Sequence, residues 1–249
     1  MILSPQRLHK LSALPHLQST WYLITAATLT VCNKPEQIPY LYHYVLHQNQ
    51  NLPIGSINNV LSEFESIQAT GENRNFSPYR TNTQLFQISE KFRETILKTA
   101  PLSGLPHAIN SLTLLRNVTP NDLLSRKANR NLMQPEYERG QNYWNSVYTK
   151  ISNRITSQLS SAYPDLWTYT LENVYAPLLS YMGILNKEET SLIIIASLIP
   201  QDVNPQLKGH LKGAVNGGVP VETVREARQL AIEVAQWCGI EWKESVATI

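Results

Sequence analysis

His210 is the residue of this chain best placed to do chemistry, because its helical neighbours at three and four residues are Gln206, Leu207, Gly213 and Ala214. Lys208 and Lys212 point elsewhere, so the imidazole is expected to face protein and not bulk water. An imidazole there can serve as a general acid or base, since it titrates close to neutral pH. The same position also suits a hydrogen-bonded core histidine, the commoner role for a lone histidine on an apolar face. Gly213 costs a helix about 1 kcal/mol relative to alanine, and its place beside Ala214 predicts the close approach of another backbone or of a ligand.

Three helices must position this ring. Asn186 with Glu189 has the spacing of a helix N-cap and its capping-box partner, and the run 191–199 that follows is apolar on every side, as in a helix buried all round. Pro200 ends it. Asn204 followed by Pro205 reads as the N-cap and first residue of a second helix, which Gly217 and Gly218 stop by supplying a left-handed conformation. Pro220 with Glu222 starts a third.

The run Gln206-Leu-Lys-Gly-His210-Leu-Lys-Gly-Ala-Val-Asn-Gly-Gly218-Val resembles the carboxymuconolactone decarboxylase family, which includes the alkylhydroperoxidase D (AhpD) proteins. Val224-Arg-Glu226 and Trp237-Cys-Gly239 extend the likeness, and the histidine stands eight residues before a glycine as in the family pattern. What the resemblance implies divides into two branches. AhpD-like peroxidases carry a Cys-x-x-Cys pair seven and four residues before the histidine; those positions are Val203 and Gln206 here. A thiolate is the nucleophile for peroxide, so a chain lacking both sulfurs does not run that cycle there. The decarboxylase branch lacks the cysteines too, and it is thought to use the histidine with an upstream glutamate. That glutamate position falls on Ser191, and Glu188, one turn earlier on roughly the same face, is the substitute.

The resemblance implies an all-α, AhpD-like helical bundle. A fainter copy of the pattern lies in the first half, where Trp21–Leu29, Asn33-Lys-Pro and Tyr40-Leu-Tyr-His43 parallel the stretch from Ser191 to His210. The closing segment Thr95–Leu112 resembles the family's apolar-Gly-Phe-Pro-x-Ala-Ile-Asn ending. The expected organisation is therefore a duplicated pseudo-dimer: a degenerate AhpD-like unit over 1–117, a connection over 118–136 and a carboxymuconolactone decarboxylase-like unit over 137–249. Pro164–Trp167 and Val174–Ser180 resemble a lead-in segment of larger fungal members of the family.

Elsewhere the pattern is helical. Apolar residues recur at threes and fours over 57–67, 84–97, 137–159 and 165–181, and no region alternates as a strand does. The stripe Tyr143, Trp144, Val147, Tyr148, Ile151 and Ile155 is expected in the core. Residues 69–83 hold successive turn formers and are expected as a surface loop. A content of 42% hydrophobic and 16% charged residues in 249 fits a compact chain with a sizeable core.

Several classes are disfavoured. A net charge of +2 with no basic stripe argues against nucleic acid, and no apolar run reaches the roughly 20 residues needed to span a bilayer. His43 and His47 share the spacing of a helix face but lack a third ligand nearby, so no metal and no cofactor is expected. Two cysteines, Cys32 and Cys238, make no disulfide framework and fit an intracellular compartment, cytoplasm or the matrix of a mitochondrion or peroxisome. The beginning suits a structural first helix better than a presequence, and the end, Ala-Thr-Ile249, is not of the Ser-Lys-Leu type.

Three functions remain. The first is a noncatalytic or strongly diverged AhpD-like protein serving ligand binding or assembly, with a small acidic ligand and a homo-oligomeric state. The second is a lyase in which His210 is the general acid/base, Glu188 assists it, and Ser191 and Asn216 bind substrate. The third is an antioxidant role toward peroxide through Cys32.

Overall fold

A computed structural model describes residues 2–70, 76–130 and 136–249. The chain is all-α: 74% of it is helical, and no strand occurs among the described residues. In chain order the helices are α1 (Pro5–Ser12), α2 (Trp21–Val31), α3 (Ile38–Gln50), α4 (Ile57–Thr70), α5 (Thr83–Ser103) and α6 (Leu105–Asn117). They continue with α7 (Glu136–Tyr148), α8 (Ser152–Ala162), α9 (Pro164–Tyr169), α10 (Lys187–Leu198), α11 (Asn204–Asn216) and α12 (Val221–Trp237). α9 runs on over Thr170–Leu179 as a wider, π-type helix, closed by the bond from Ser180 N–H to the Tyr175 carbonyl.

The centre is formed by two helices that are hydrophobic all round. Every residue of α2 is buried, as is every residue of α10 from Glu189 onward, and the two pack against each other, against α5 and against α12. A helix without a polar face has no stable place at the surface, so burial from all sides follows from its composition. Its hydroxyls must then be satisfied internally. Thr25, Thr28 and Ser197 donate to the carbonyls four residues back, at 2.8–2.9 Å.

Around His210 the helix ends agree with the sequence in the main. Asn186 and Glu189 form the reciprocal capping box of α10 at 2.8 and 2.9 Å, and Pro200 lies in the short 3-10 turn that ends that helix. Asn204 differs from expectation: it opens α11, but its side chain is drawn away to Ser245 O and Ala247 N–H, where it fastens the C-terminal segment. Of the two glycines after α11 only Gly218 is left-handed, at φ 100°, while Gly217 stays right-handed at −75°. One left-handed residue is enough to reverse the chain.

Over 76–82 the segment expected as a surface loop is irregular and half-buried to exposed, except at Tyr79. α4 runs on to Thr70, and beyond residues 71–75, which lie outside the described part, Tyr79 turns inward and is buried against His43. A phenol whose hydroxyl finds a partner gains more from burial than a polar turn gains from solvent.

α5 binds the two halves together. Lys98, fully buried, donates to Tyr181 O and Thr190 Oγ1 at 2.8 Å each and lies 3.9 Å from Glu94, itself paired with Arg130. Burial lowers the Lys98 ammonium to a pKa of about 8.

Candidate functional site

His210 is set in place by the close packing of α11 on α7. A Cβ added at Gly213 would stand 2.6 Å from Val147 Cγ1 and 3.1 Å from Val147 O, so the close approach expected there is that of the α7 backbone. The contact brings Tyr148 against the imidazole, with ring centroids 5.9 Å apart, edge to face, and Nε2 3.3 Å from the phenolic oxygen. Tyr148 reaches Tyr175 at 3.5 Å and packs on Trp144 at 4.3 Å. Burial pushes the imidazole down to about 4 and raises the phenols of Tyr148 and Tyr175, so all three are uncharged at neutral pH.

The other residues expected beside His210 do not converge on it. Glu188 is exposed in the first turn of α10. Asn216 is exposed at the last turn of α11. Ser191 is buried, and its hydroxyl donates to Lys187 O at 2.9 Å. Burial raises the nearby Tyr143 phenol, which Ser191 offsets only in part, and Tyr143 Oη and Trp144 Nε1 are buried without hydrogen-bond partners among the described residues. The partner of the imidazole is a tyrosine on α7, where the sequence reading expected a carboxylate on α10. A neutral histidine–tyrosine pair has no group positioned to hold a second proton, and this limits what it can do as an acid/base device.

The first half also holds a histidine–tyrosine contact, made through the other ring nitrogen and to a tyrosine that follows the histidine in sequence. His43 on α3 is fully buried, its Nδ1 bonded to the Tyr79 hydroxyl and its Nε2 3.0 Å from Val118 O, and burial lowers it to about 3. His47 instead meets Pro53 O at 3.0 Å. His47 Nε2 is buried without a hydrogen-bond partner, and no group of three metal-ligating side chains occurs among the described residues.

Beyond His43 lies a hollow that the sequence reading did not find. His43 tilts against Phe64, Phe64 meets Phe76 edge to face at 5.2 Å, and the two phenyl rings line a cavity of about 290 Å³. Gln68 ties α4 to the end of α6 through Asn117 O at 2.8 Å. Arg116 and Arg126 line it, and among the described residues no acidic side chain does. Arg126 is steadied by the Asn121 side chain at 3.0 Å. Beside it a second hollow shares Arg116, Thr119, Leu124 and Arg126 and adds Arg93, whose charge is held by Glu90. Two guanidinium groups and two phenyl rings thus line one hollow, with Gln68, Asn117, Thr119 and Asn121 between them. Its lining is scattered from Phe64 to Arg126, and no local spacing announces it.

Comparison with known proteins gives two relatives. Over the full chain, 44% of residues are identical to peroxisomal protein 2 of Saccharomyces cerevisiae, with 99% of that protein covered. Peroxisomal protein 2 of Schizosaccharomyces pombe is 40% identical over 65% of this chain and 76% of its own length. No family model matches the chain, and no solved structure matches it. The chain belongs to the peroxisomal protein 2 family.

Proposed function

We propose that this member of the family is a noncatalytic, AhpD-like protein of the peroxisome that binds a small acidic ligand. The observation that carries the reading is the hollow lined by Arg116 and Arg126 together with Phe64 and Phe76, where no carboxylate occurs among the described residues. A carboxylate placed there would gain charge-assisted hydrogen bonds, and its apolar body would cover Phe64 and Phe76.

The AhpD-like ancestry is supported by the arrangement of the two halves. In each, a helix buried on all sides precedes a helix whose histidine meets a tyrosine: α2 and α3 with His43 and Tyr79, α10 and α11 with His210 and Tyr148. The peroxisome is proposed from the printed names of the two relatives. Among the described residues, no helix is long and apolar enough to cross a membrane.

The test is calorimetric titration with benzoate and hexanoate, using benzamide and hexanamide as uncharged counterparts. Binding of the acids, at least tenfold weaker for the amides and for Arg116→Gln with Arg126→Gln, is the expected result. Equal binding of acids and amides, or no binding of either, would dismiss the reading.

A second reading, assembly of copies of this chain, is favoured by the exposed Tyr163, Leu166 and Tyr169 along α8 and α9. Light scattering on the full chain and on Tyr163→Ser with Tyr169→Ser decides it: a dimer or larger species converted to monomer supports assembly through this face.

A further inference from the structure

The two cysteines, Cys32 and Cys238, are far apart in the sequence and adjacent in the fold. Each is the C-cap of a core helix, Cys32 of α2 and Cys238 of α12, and those helices pack together. Each is followed by a residue in the left-handed region, Asn33 at φ 53° and Gly239 at φ 88°. Each turn is closed by a bond from the next N–H back into the helix, Lys34 N to Leu29 O at 2.9 Å and Ile240 N to Ala235 O at 3.0 Å. Two helix ends of the same design therefore hold the thiols on fixed backbone, close enough for each to shift the ionisation of the other. Both are reduced and only half buried, so small oxidants reach them.

Their proximity makes the two sulfurs unequal. Cys32 lowers the Cys238 thiol, and Cys238 raises that of Cys32. The Lys34 ammonium favours the thiolate form of both, while Glu36 opposes that of Cys238. Such inequality separates an attacking sulfur from a resolving one.

We propose that Cys32 and Cys238 form a redox-active dithiol that closes to an intramolecular disulfide on reaction with a hydroperoxide. The Cys238 thiolate attacks the outer oxygen of the peroxide, the O–O bond breaks, and the alkoxide leaves as an alcohol after taking up a proton. Cys238 is then a sulfenic acid. The sulfur of Cys32 attacks the sulfur of Cys238, the S–O bond breaks, and hydroxide departs with the Cys32 proton as water. Two thiols and one hydroperoxide thus give one disulfide, one alcohol and one water. For closure the sulfurs must come together to a bond of about 2.05 Å. The link joins the second helix of the chain to the last, closing a very long loop, and should raise the melting temperature. This proposal does not depend on the hollow: it concerns another part of the molecule and needs no acidic ligand.

The experiment treats the reduced full chain with one equivalent of hydrogen peroxide, blocks remaining thiols with iodoacetamide, and reads intact mass and non-reduced peptides. The expected protein has lost two hydrogens, takes up no blocking group, and yields one peptide pair joined through Cys32 and Cys238. In Cys32→Ser the sulfenic acid has no resolving partner, so dimedone labels Cys238; in Cys238→Ser, labelling of Cys32 falls at least tenfold. Benzoate binding is unchanged in both variants. Thiols that remain open to the blocking reagent, that oxidise further without joining, or that join separate chains overturn the proposal.

Discussion

The Nε2 atom of His210 lies 3.3 Å from the hydroxyl of Tyr148, one residue on α11 and the other on α7. Burial keeps both groups uncharged at neutral pH, and their contact joins two helices. Tyr148→Phe removes one neutral hydrogen bond and is expected to cost about 1 kcal/mol in urea melts. His210→Ala also opens space and is expected to cost about 2–3 kcal/mol. Neither substitution is expected to change binding of benzoate.

Acid should destabilise the fold through the fully buried His43 and the half-buried His210. Their folded pKa values, about 4 for His210 and about 3 for His43, lie below the ordinary 6.5. Above that ordinary value both rings are neutral in the folded and unfolded chain, and nothing is lost. As pH falls below it the unfolded chain takes up protons that the folded chain refuses, so stability declines. Each ring contributes up to about 1.4 kcal/mol per pH unit, until its own folded value is passed. Urea melts from about pH 7 to 5 should show a gentler slope for His210→Gln than for wild type. An unchanged slope would mean that the ring titrates in the fold as it does in water.

Two glycines test how closely α7 is held. At Gly140 a Cβ would stand 2.6 Å from Ala176 Cα, on backbone that cannot step aside, and at Gly213 the same distance from a side-chain methyl of Val147. Gly140→Ala is therefore expected to lose more stability than Gly213→Ala, the latter costing about 1–3 kcal/mol. Thermal melts of the two variants check the order.

Much of the helical frame was legible in residue types. Asn186 and Glu189 announced their capping box, and the unbroken apolar run after them announced burial on every side. Gly213 announced a close neighbour, which is Val147. What could not be read is what depends on distant segments meeting. Tyr79 lies among turn formers, yet its ring is drawn inward by His43; Asn204 has the form of a cap, yet the chain end claims it. Glu188 has the right helical phase relative to Ser191, but phase on one helix does not fix which side chain of another helix meets His210. The approach of Cys32 to Cys238 is invisible for the same reason.

Lys98 should be among the most sensitive positions. Its ammonium is the shared donor for the carbonyls of Leu179, at the end of the π-type helix, and Tyr181, and for Thr190 of α10, within reach of Glu94. Lys98→Met leaves those acceptors and the carboxylate short of a partner in the interior, an expected loss of about 3–5 kcal/mol. Denaturant unfolding gives the value directly, and a loss below about 1 kcal/mol would show that water replaces the ammonium there.

The most direct test of the central claim is a comparison of three proteins, wild type, Arg116→Gln with Arg126→Gln, and His210→Gln, in titrations with hexanoate followed by amide NMR. The account predicts shifts confined to α4, α6 and the segment around Leu124 in wild type and in His210→Gln, and their loss when the arginines are replaced. Shifts centred on α7 and α11, or binding that disappears with His210 and survives without the arginines, would contradict it.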